Sequence, residues 1–236
     1  MLLSGREAKE LGEASLVEFL SLRIPEGHHI DYKENLAQTN EYESRKEFLK
    51  DVTAFANANG GLLLLGVREP SDDLPVEDQI VGISDGDALA NELERVAASS
   101  IDPRIPGLLI RSIPLSAGSH AVIVYIPPSL MRPHMVNYRK HRSFYIRHSE
   151  SSLPMTTHEI RETVLSSATA EGYARNYAER QEVEARQYLI GTEAALFLQA
   201  MPLLKLENTW NVLENPFIDA MRGSKRKNRY DLFDLT

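Results

Sequence analysis

Three carboxylate side chains in the first third of the chain are placed where they could act together. Glu26 and Asp31 flank a turn at Gly27, so both can reach one point, and Glu69 follows a short apolar run that ends at a sheet edge. Carboxylate oxygens are the ligands that hard cations such as Mg²⁺ and Mn²⁺ prefer. Such a metal can activate water and stabilise displacement at phosphorus. Nearby Lys33 could neutralise a phosphate or lower the pKa of the acids. The alternative is that all of these are ordinary surface charges.

A second feature is a long basic segment without acids. Residues 103–149 contain no Asp or Glu and carry a charge of +7, so the rest of the chain carries −15 within a total of −8. A local positive field can attract a polyanion even when the net charge is negative. The candidate nucleic-acid-binding residues in this segment are Arg132, His134, Arg139, Lys140, Arg142 and Arg147. The alternative is a hairpin whose charges are merely solvated.

The composition excludes several classes of protein. Because there is no cysteine, the chain has no disulfide and no thiolate-bound zinc or iron–sulfur site. The seven histidines follow no convincing zinc spacing, so no zinc is expected. No apolar run approaches the ~20 residues that span a bilayer, and the N-terminus turns polar too early for a signal peptide. We therefore expect a cytoplasmic protein with no membrane partner.

The periodicity of apolar residues predicts the elements that must position these side chains. It predicts helices over residues 7–22, 44–57 and 88–98, and a further helix that starts at 156 or 157 and continues past 186. It predicts strands over residues 62–67, 80–83, 108–114, 120–126, 136–139, 144–147 and 194–203. The helix over 44–57 is the clearest, because Phe48, Val52 and Phe55 form one apolar stripe. Ser44 is its predicted N-cap, with Glu47 completing a capping box.

The order of these elements predicts the fold class and the domains. Hairpins dominate the second half, which favours a mixed β-sheet with packed helices, an α+β fold, over a doubly wound parallel sheet. One domain is expected over residues 15–165. Residues 166–236 are expected to form a long helical extension and the start of a further, truncated domain.

Three segments occur in an informative order. Residues 25–34 read PEGHHIDYKE, residues 54–67 read AFANANGGLLLLGV, and residues 126–147 include Pro133-His134 and Tyr145-Ile146-Arg147. In this order they resemble the Schlafen-type AlbA-like domain, as a single lobe of prokaryotic style. The resemblance covers about residues 15–165. Its most specific part is the run Ala-Phe-Ala-Asn-(x)2-Gly-Gly-(x)4-Gly-Val at residues 54–67.

The resemblance implies a mixed α/β lobe that binds nucleic acid. In animal Schlafens two such lobes form a clamp around structured RNA, and some of them cut transfer and ribosomal RNA with three metal-binding carboxylates. When the family's motif is matched residue by residue, its three metal ligands correspond to Glu26, Asp31 and Glu69. The resemblance also implies Mg²⁺ or Mn²⁺ as cofactor and places Lys33 in the same catalytic site. The second acid is usually glutamate and the third aspartate, so the reach of Asp31 and Glu69 differs from the family pattern by one methylene each.

The leading interpretation is a nucleic-acid-binding protein that favours RNA over DNA. It is also a candidate metal-dependent endoribonuclease of structured RNA such as tRNA, with an expected role in stress response or phage defence. Because one lobe supplies half of a clamp, a homodimer is expected. The altered carboxylates favour the alternative, a non-catalytic DNA-binding or regulatory module. A third class, a nucleotide-binding domain, has little support: Gly60-Gly61 precedes a strand and no Lys-Ser or Lys-Thr follows, so ATP is not expected.

Asp51 is interpreted as a solvated or capping charge, and Asn57 as a helix-exit residue.

Overall fold

The computed structural model describes residues 5–35, 40–169 and 172 of the 236-residue chain. The helices are α1 (Gly5–Glu10), α2 (Glu13–Ser21), α3 (Glu41–Asn57), α4 (Gly86–Ser100) and α5 (residues 157–169), with a 3₁₀ turn at Glu77–Gln79. The strands are β1 (Ile30–Lys33), β2 (Gly61–Leu65), β3 (Ile101–Asp102), β4 (Leu109–Pro114), β5 (His120–Ile126), β6 (Met135–Tyr138), β7 (His141–His148) and β8 (Ser151–Pro154). The predicted α+β class is confirmed.

The strands form two four-stranded sheets. The first has the order β1-β2-β5-β4, in which β1 and β2 run parallel and the remaining pairs are antiparallel. The second has the order β3-β6-β7-β8 and is antiparallel throughout. The predicted hairpins at 108–126 and 136–147 are present, and the second hairpin belongs to a separate sheet that the sequence pattern did not distinguish from the first.

Strand β2 is apolar at every position after Gly61 because both of its faces are covered. Leu63 and Leu65 join the core built around α3 and α4, whereas Leu62 and Leu64 join a second core built around α1 and α2. Successive side chains of a strand point to opposite faces, so one short run can serve two cores. The first sheet therefore lies between two layers of helices.

Helix α3 connects the two sheets. Its predicted stripe of Phe48, Val52 and Phe55 is buried, with exposures of 0–1%. The helix packs against β2 and β5 of the first sheet and against β6, β7 and β8 of the second. Gly60 follows it with φ of +73°, and a side chain there would collide with the backbone of Ile126 and Pro128. The helix exit and the start of β2 thus depend on glycine.

The helix starts differ in part from the prediction. The N-cap of α3 is Asn40, whose Oδ1 accepts a hydrogen bond from the Glu43 amide at 2.9 Å, and Ser44 lies inside the helix, so the predicted Ser44 cap was wrong. The helix whose start was predicted at Thr156 or Thr157 is capped by Thr156. Its Oγ1 accepts from the Glu159 amide at 3.2 Å, and the Glu159 carboxylate accepts from the Thr156 amide at 2.7 Å, which is a capping box.

Two predicted elements are interrupted. The helix predicted over 7–22 is divided at Gly12, whose extended backbone starts α2, while the Arg111 guanidinium donates to the carbonyls of Ala8 and Leu11 at the end of α1. The strand predicted over 80–83 forms only isolated bridges at Ile80 and Ile83, because Gly82 between them has φ of +77°.

Part of the prediction falls outside the described residues. The strand predicted over 194–203, the helix beyond residue 169 apart from residue 172, and nearly all of the extension over 166–236 lie there. Within the described residues, no helix is long and apolar enough to cross a membrane.

Candidate functional site

Glu26, Asp31 and Glu69 lie in neighbouring segments beside strands β1 and β2 of the first sheet. The Glu26 amide donates to Oε1 of Glu69 at 3.0 Å, and Oε1 of Glu26 accepts from the Tyr32 amide at 3.1 Å. The Asp31 carboxyl lies close enough to the Glu26 carboxyl to raise the pKa of Glu26. The register pairs Lys33 with Leu65, so the parallel strands β1 and β2 end side by side and place Asp31 and the segment leading to Glu69 at the same edge.

Asp31 is enclosed and neutralised by two cations. Its side chain is 1% exposed, and its Oδ2 lies 2.9 Å from Nζ of Lys33 and 3.4 Å from Nη1 of Arg147. Lys33 lies two residues along β1 and therefore shares a face with Asp31, whereas Arg147 comes from β7 of the other sheet. A buried carboxylate of this kind requires such pairing, because an unpaired charge in the interior is strongly unfavourable.

Asp51 of α3 is the residue of this site that the sequence interpretation missed. It was expected to be solvated, but it is only 3% exposed, and its Oδ1 accepts a hydrogen bond from Oγ of Ser152 on β8 at 2.8 Å. Together, Asp31, Lys33, Asp51 and Arg147 form what we call the charge cluster. The cluster joins β1, α3 and β7 through charged side chains, and β8 through Ser152.

Burial shifts the pKa values of the acids in this site. The pKa of Asp51 is raised from 3.8 to about 6, mainly by burial and in part by Asp31, against the lowering influence of Lys33. Burial and the hydrogen bond with Asp31 likewise raise the pKa of Glu26 to about 6. Burial lowers the pKa of Lys33, but the carboxylates of Asp51, Asp31 and Glu26 outweigh it, so the net shift is upward and Lys33 stays charged.

Arg147 is an internal residue, which corrects its predicted role as a surface phosphate contact. It is 4% exposed, and its Nε donates to the carbonyls of Gly27 at 3.1 Å and Ser149 at 3.0 Å. Its guanidinium carbon lies 4.7 Å from the ring centroid of Phe55, within cation–π range. With its donors directed at Asp31 and these carbonyls, Arg147 holds β7 against β1 and α3.

His134 is also buried, which corrects its predicted role as a phosphate contact. It is 0% exposed, its Nδ1 lies 2.6 Å from the Pro103 carbonyl, and burial lowers its pKa despite that hydrogen bond. Asn57, at the end of α3, donates to the carbonyls of His134 at 2.9 Å and Tyr145 at 2.8 Å and accepts from the His134 amide at 2.6 Å. Asn57 therefore ties α3 to β7 and to the start of β6, a role beyond that of a helix exit.

Three of the predicted cations remain exposed at the turn between β6 and β7. Arg139, Lys140 and Arg142 form what we call the hairpin tip, and within the described part of the chain none of them is ion-paired with a carboxylate. Arg142 donates from Nε to Oδ1 of Asn137 at 3.2 Å. Arg132 is partly exposed and donates to the Ala58 carbonyl at 2.8 Å, so part of its hydrogen-bonding capacity is used internally.

The family model described as Schlafen, AlbA_2 matches residues 26–156, which is just over half of the chain and contains both the charge cluster and the hairpin tip. The chain belongs to the Schlafen AlbA_2 family. This confirms the resemblance, and the family is one of nucleic-acid-binding domains. No protein of curated function matches the sequence significantly.

Solved structures similar to this Schlafen AlbA_2 protein include two from bacteria. One is the solution NMR structure of the N-terminal domain of a putative ATP-dependent DNA helicase RecG-related protein from Nitrosomonas europaea, with 22% identity and a TM-score of 0.41, covering 62% of this chain and 94% of that one. The other is the crystal structure of the DIP2311 protein from Corynebacterium diphtheriae, with 17% identity and a TM-score of 0.39. The second match covers 64% of this chain but only 32% of DIP2311.

The carboxylates of this Schlafen AlbA_2 domain do not fit a divalent metal in the arrangement described. Asp31 already faces two cations, the Glu26 carboxylate accepts a hydrogen bond from the Tyr32 amide, and Glu69 accepts one from the Glu26 amide. Among the residues with described positions, no group of three or more His, Asp or Glu side chains could hold a metal ion. Metal-dependent cleavage by Glu26, Asp31, Lys33 and Glu69 therefore stays a prediction.

Proposed function

We propose that the protein is a non-catalytic nucleic-acid-binding module that grips the phosphates of structured RNA with its hairpin tip. The observation that carries the proposal is the contrast within the basic segment. Arg147 and Arg111 are used internally, whereas Arg139, Lys140 and Arg142 project from one turn without acidic partners among the described residues. Cations in this arrangement contact phosphates without selecting a sequence.

The charge cluster supports this function by positioning the hairpin. Arg147 lies on β7, six residues after His141, which is the first residue of that strand after the turn. Its contacts with Asp31, with the Gly27 carbonyl and with the Phe55 ring fix β7 against the first sheet and α3. A fixed hairpin presents its three cations in one geometry, which lowers the entropy lost on binding.

The test compares two charge-reversed variants by fluorescence anisotropy with labelled total tRNA. Arg139→Glu/Lys140→Glu/Arg142→Glu is expected to abolish binding. The matched control, Lys9→Glu/Arg95→Glu/Arg161→Glu, changes the net charge equally at exposed positions on α1, α4 and α5 and is expected to bind nearly as well as the wild type. Replacing a single tip cation by Ala should reduce the slope of log K against log[salt] by roughly 0.7–0.9. Equal losses in both triple variants would refute the proposed face.

Metal-dependent endoribonuclease activity is the second candidate, because Glu69 is bound to the backbone amide of Glu26 and Asp31 lies beside the Glu26 carboxyl. Since these side chains do not fit a metal, we expect no cleavage of tRNA with Mn²⁺, with Mg²⁺ or with EDTA. Cleavage that requires Mn²⁺ and is lost in Glu26→Ala, Asp31→Ala and Glu69→Ala would instead establish the nuclease. Each of these variants should first be shown to fold, because Asp31 is buried.

A homodimer is the proposed assembly, since one lobe supplies half of the clamp that the family resemblance implies. Sedimentation equilibrium of the full chain tests it. A monomeric mass at the concentrations that bind tRNA would remove the dimer from the proposal and leave the binding face unchanged.

A further inference from the structure

We propose that Tyr42, Tyr138 and Arg139 form a stacking platform for an unpaired nucleobase, so that the protein prefers single-stranded segments of its nucleic-acid ligand. This inference rests on the proposed function, because the phosphates of the same strand would contact the hairpin tip. It specifies which part of the ligand the protein recognises, namely the unpaired bases.

The platform is assembled from two distant parts of the sequence. The rings of Tyr42, in the first turn of α3, and Tyr138, at the end of β6, are stacked with centroids 5.6 Å apart and planes inclined by 15°. The guanidinium carbon of Arg139 lies 5.2 Å from the Tyr42 centroid and 5.5 Å from the Tyr138 centroid. Three planar groups are thus grouped at the base of the hairpin tip.

These groups are accessible as well as grouped. Arg139 is exposed, and both tyrosines are partly exposed. The ammonium of Lys46, one turn along α3, lies 5.9 Å from the Tyr42 centroid and is hydrogen-bonded to Glu43 at 3.1 Å. Because Glu43 pairs with Lys46, Arg139 is the cation against both rings that has no carboxylate partner among the described residues, and its charge favours the electron-rich face of a base and the phosphate attached to it.

The backbone at Arg139 gives an independent observation. Arg139 has φ of +54° in the two-residue connection between Tyr138 and His141, a position that L-residues other than Asn, Asp and Gly seldom occupy. A left-handed conformation is unfavourable for a residue with a Cβ, because the Cβ comes too close to the following carbonyl oxygen. Glycine would avoid that cost, but it would lose the guanidinium that lies over both rings.

The chemistry of the platform selects unpaired bases. Nucleobases stack on tyrosine rings and on arginine guanidinium planes, and such stacking contributes ~1–3 kcal/mol per base. The faces of paired bases inside a helix are covered by their neighbours, so a duplex offers only its phosphates to the hairpin tip. A single-stranded loop or end offers both.

The spacing also places the platform at a distance from the carboxylates. Tyr42 precedes Asp51 by nine residues on α3, which corresponds to ~14 Å at the helical rise of 1.5 Å per residue. A strand stacked at Tyr42 would therefore reach the charge cluster only after extending along α3, so a base on the platform makes no direct contact with the charge cluster or with a metal there.

The experiment measures anisotropy of labelled oligouridine RNA, of oligothymidine DNA and of a fully paired RNA hairpin with the full chain. Tyr42→Leu and Tyr138→Leu keep apolar bulk but remove the ring, and each is expected to weaken single-strand binding about 5- to 150-fold. Binding of the paired hairpin should change less than about threefold. Phe at the same positions keeps the ring and should rescue single-strand binding, which would show that the ring matters more than the hydroxyl.

A second readout reports stacking directly. An oligonucleotide containing 2-aminopurine should lose fluorescence on saturation with wild-type protein and retain it with either Leu variant. Unchanged single-strand affinity and unchanged quenching in the Leu variants would overturn the platform while leaving hairpin-tip binding intact. A wild-type protein that binds neither single strands nor the paired hairpin would instead refute the proposed function itself. Equal losses for both ligands in the Leu variants would also overturn the platform, since they would mean that the rings only support the fold.

Discussion

The buried carboxyl of Asp51 gives this domain a stability that depends on pH, and Asp51→Asn isolates its contribution. The carboxyl is surrounded by Lys33 and Asp31 of β1, Lys50 of its own helix and Ser152 of β8. Its pKa rises from 3.8 to about 6 on folding, so between these pH values the folded state binds the proton more tightly than the unfolded state. The contribution to stability is therefore complete below pH ~4 and is lost as the pH rises through ~6.

The magnitude follows from the size of the shift. About two pKa units at 1.36 kcal/mol each give a loss of ~3 kcal/mol in the free energy of unfolding between pH 4 and 7. Asn has the shape of the protonated acid and can still accept the hydrogen bond from Ser152, but it does not titrate. The stability of Asp51→Asn relative to the wild type should therefore increase by ~3 kcal/mol over this range.

The assay is urea unfolding followed by circular dichroism at intervals from pH 4 to 8, with wild type and variant measured side by side. Only the difference between the two is interpreted, because other groups titrate equally in both. Asp73→Asn, at an exposed position, serves as the control and should give a difference that does not change with pH. If the difference for Asp51→Asn is equally flat, the carboxyl is already ionised and solvated at pH 4, and the burial argument fails.

Three further predictions concern the side chains around the charge cluster, all measured by denaturant unfolding at pH 7. Phe55→Ala should destabilise the protein by ~3–5 kcal/mol because it removes a fully buried ring, whereas Leu22→Ala, at a side chain that is 61% exposed, should change stability by less than ~1 kcal/mol. Arg147→Met should cost ~3 kcal/mol because it leaves a buried charge less compensated, and adding Asp31→Asn should recover part of the loss, which no simple packing defect would allow. Asn57→Ala should cost ~2–4 kcal/mol because three buried backbone groups lose their partner; a loss below ~1 kcal/mol would mean that water replaces the amide.

Much of the fold was predictable because its signals are local. The stripe of Phe48, Val52 and Phe55 follows from helical periodicity, and the hairpin over 108–126 follows from two apolar runs joined by a turn. Where the prediction was wrong, a competing local signal decided the outcome. Asn40 caps α3 ahead of Ser44, because the helix begins about two turns before its apolar stripe.

The sequence by itself determined which residues carry charge, that the basic ones cluster between 103 and 149, and that Glu26 and Asp31 lie close enough along the chain to meet. Only the tertiary structure decided which of those charged side chains are exposed and which are buried. Arg147 and Arg139 are eight residues apart on one hairpin and look alike in sequence, yet one is buried against Asp31 and the other lies exposed over two tyrosine rings. The reason is physical: a charge enters the interior only where a partner of opposite sign is already fixed there, and that partner comes from an element more than a hundred residues away.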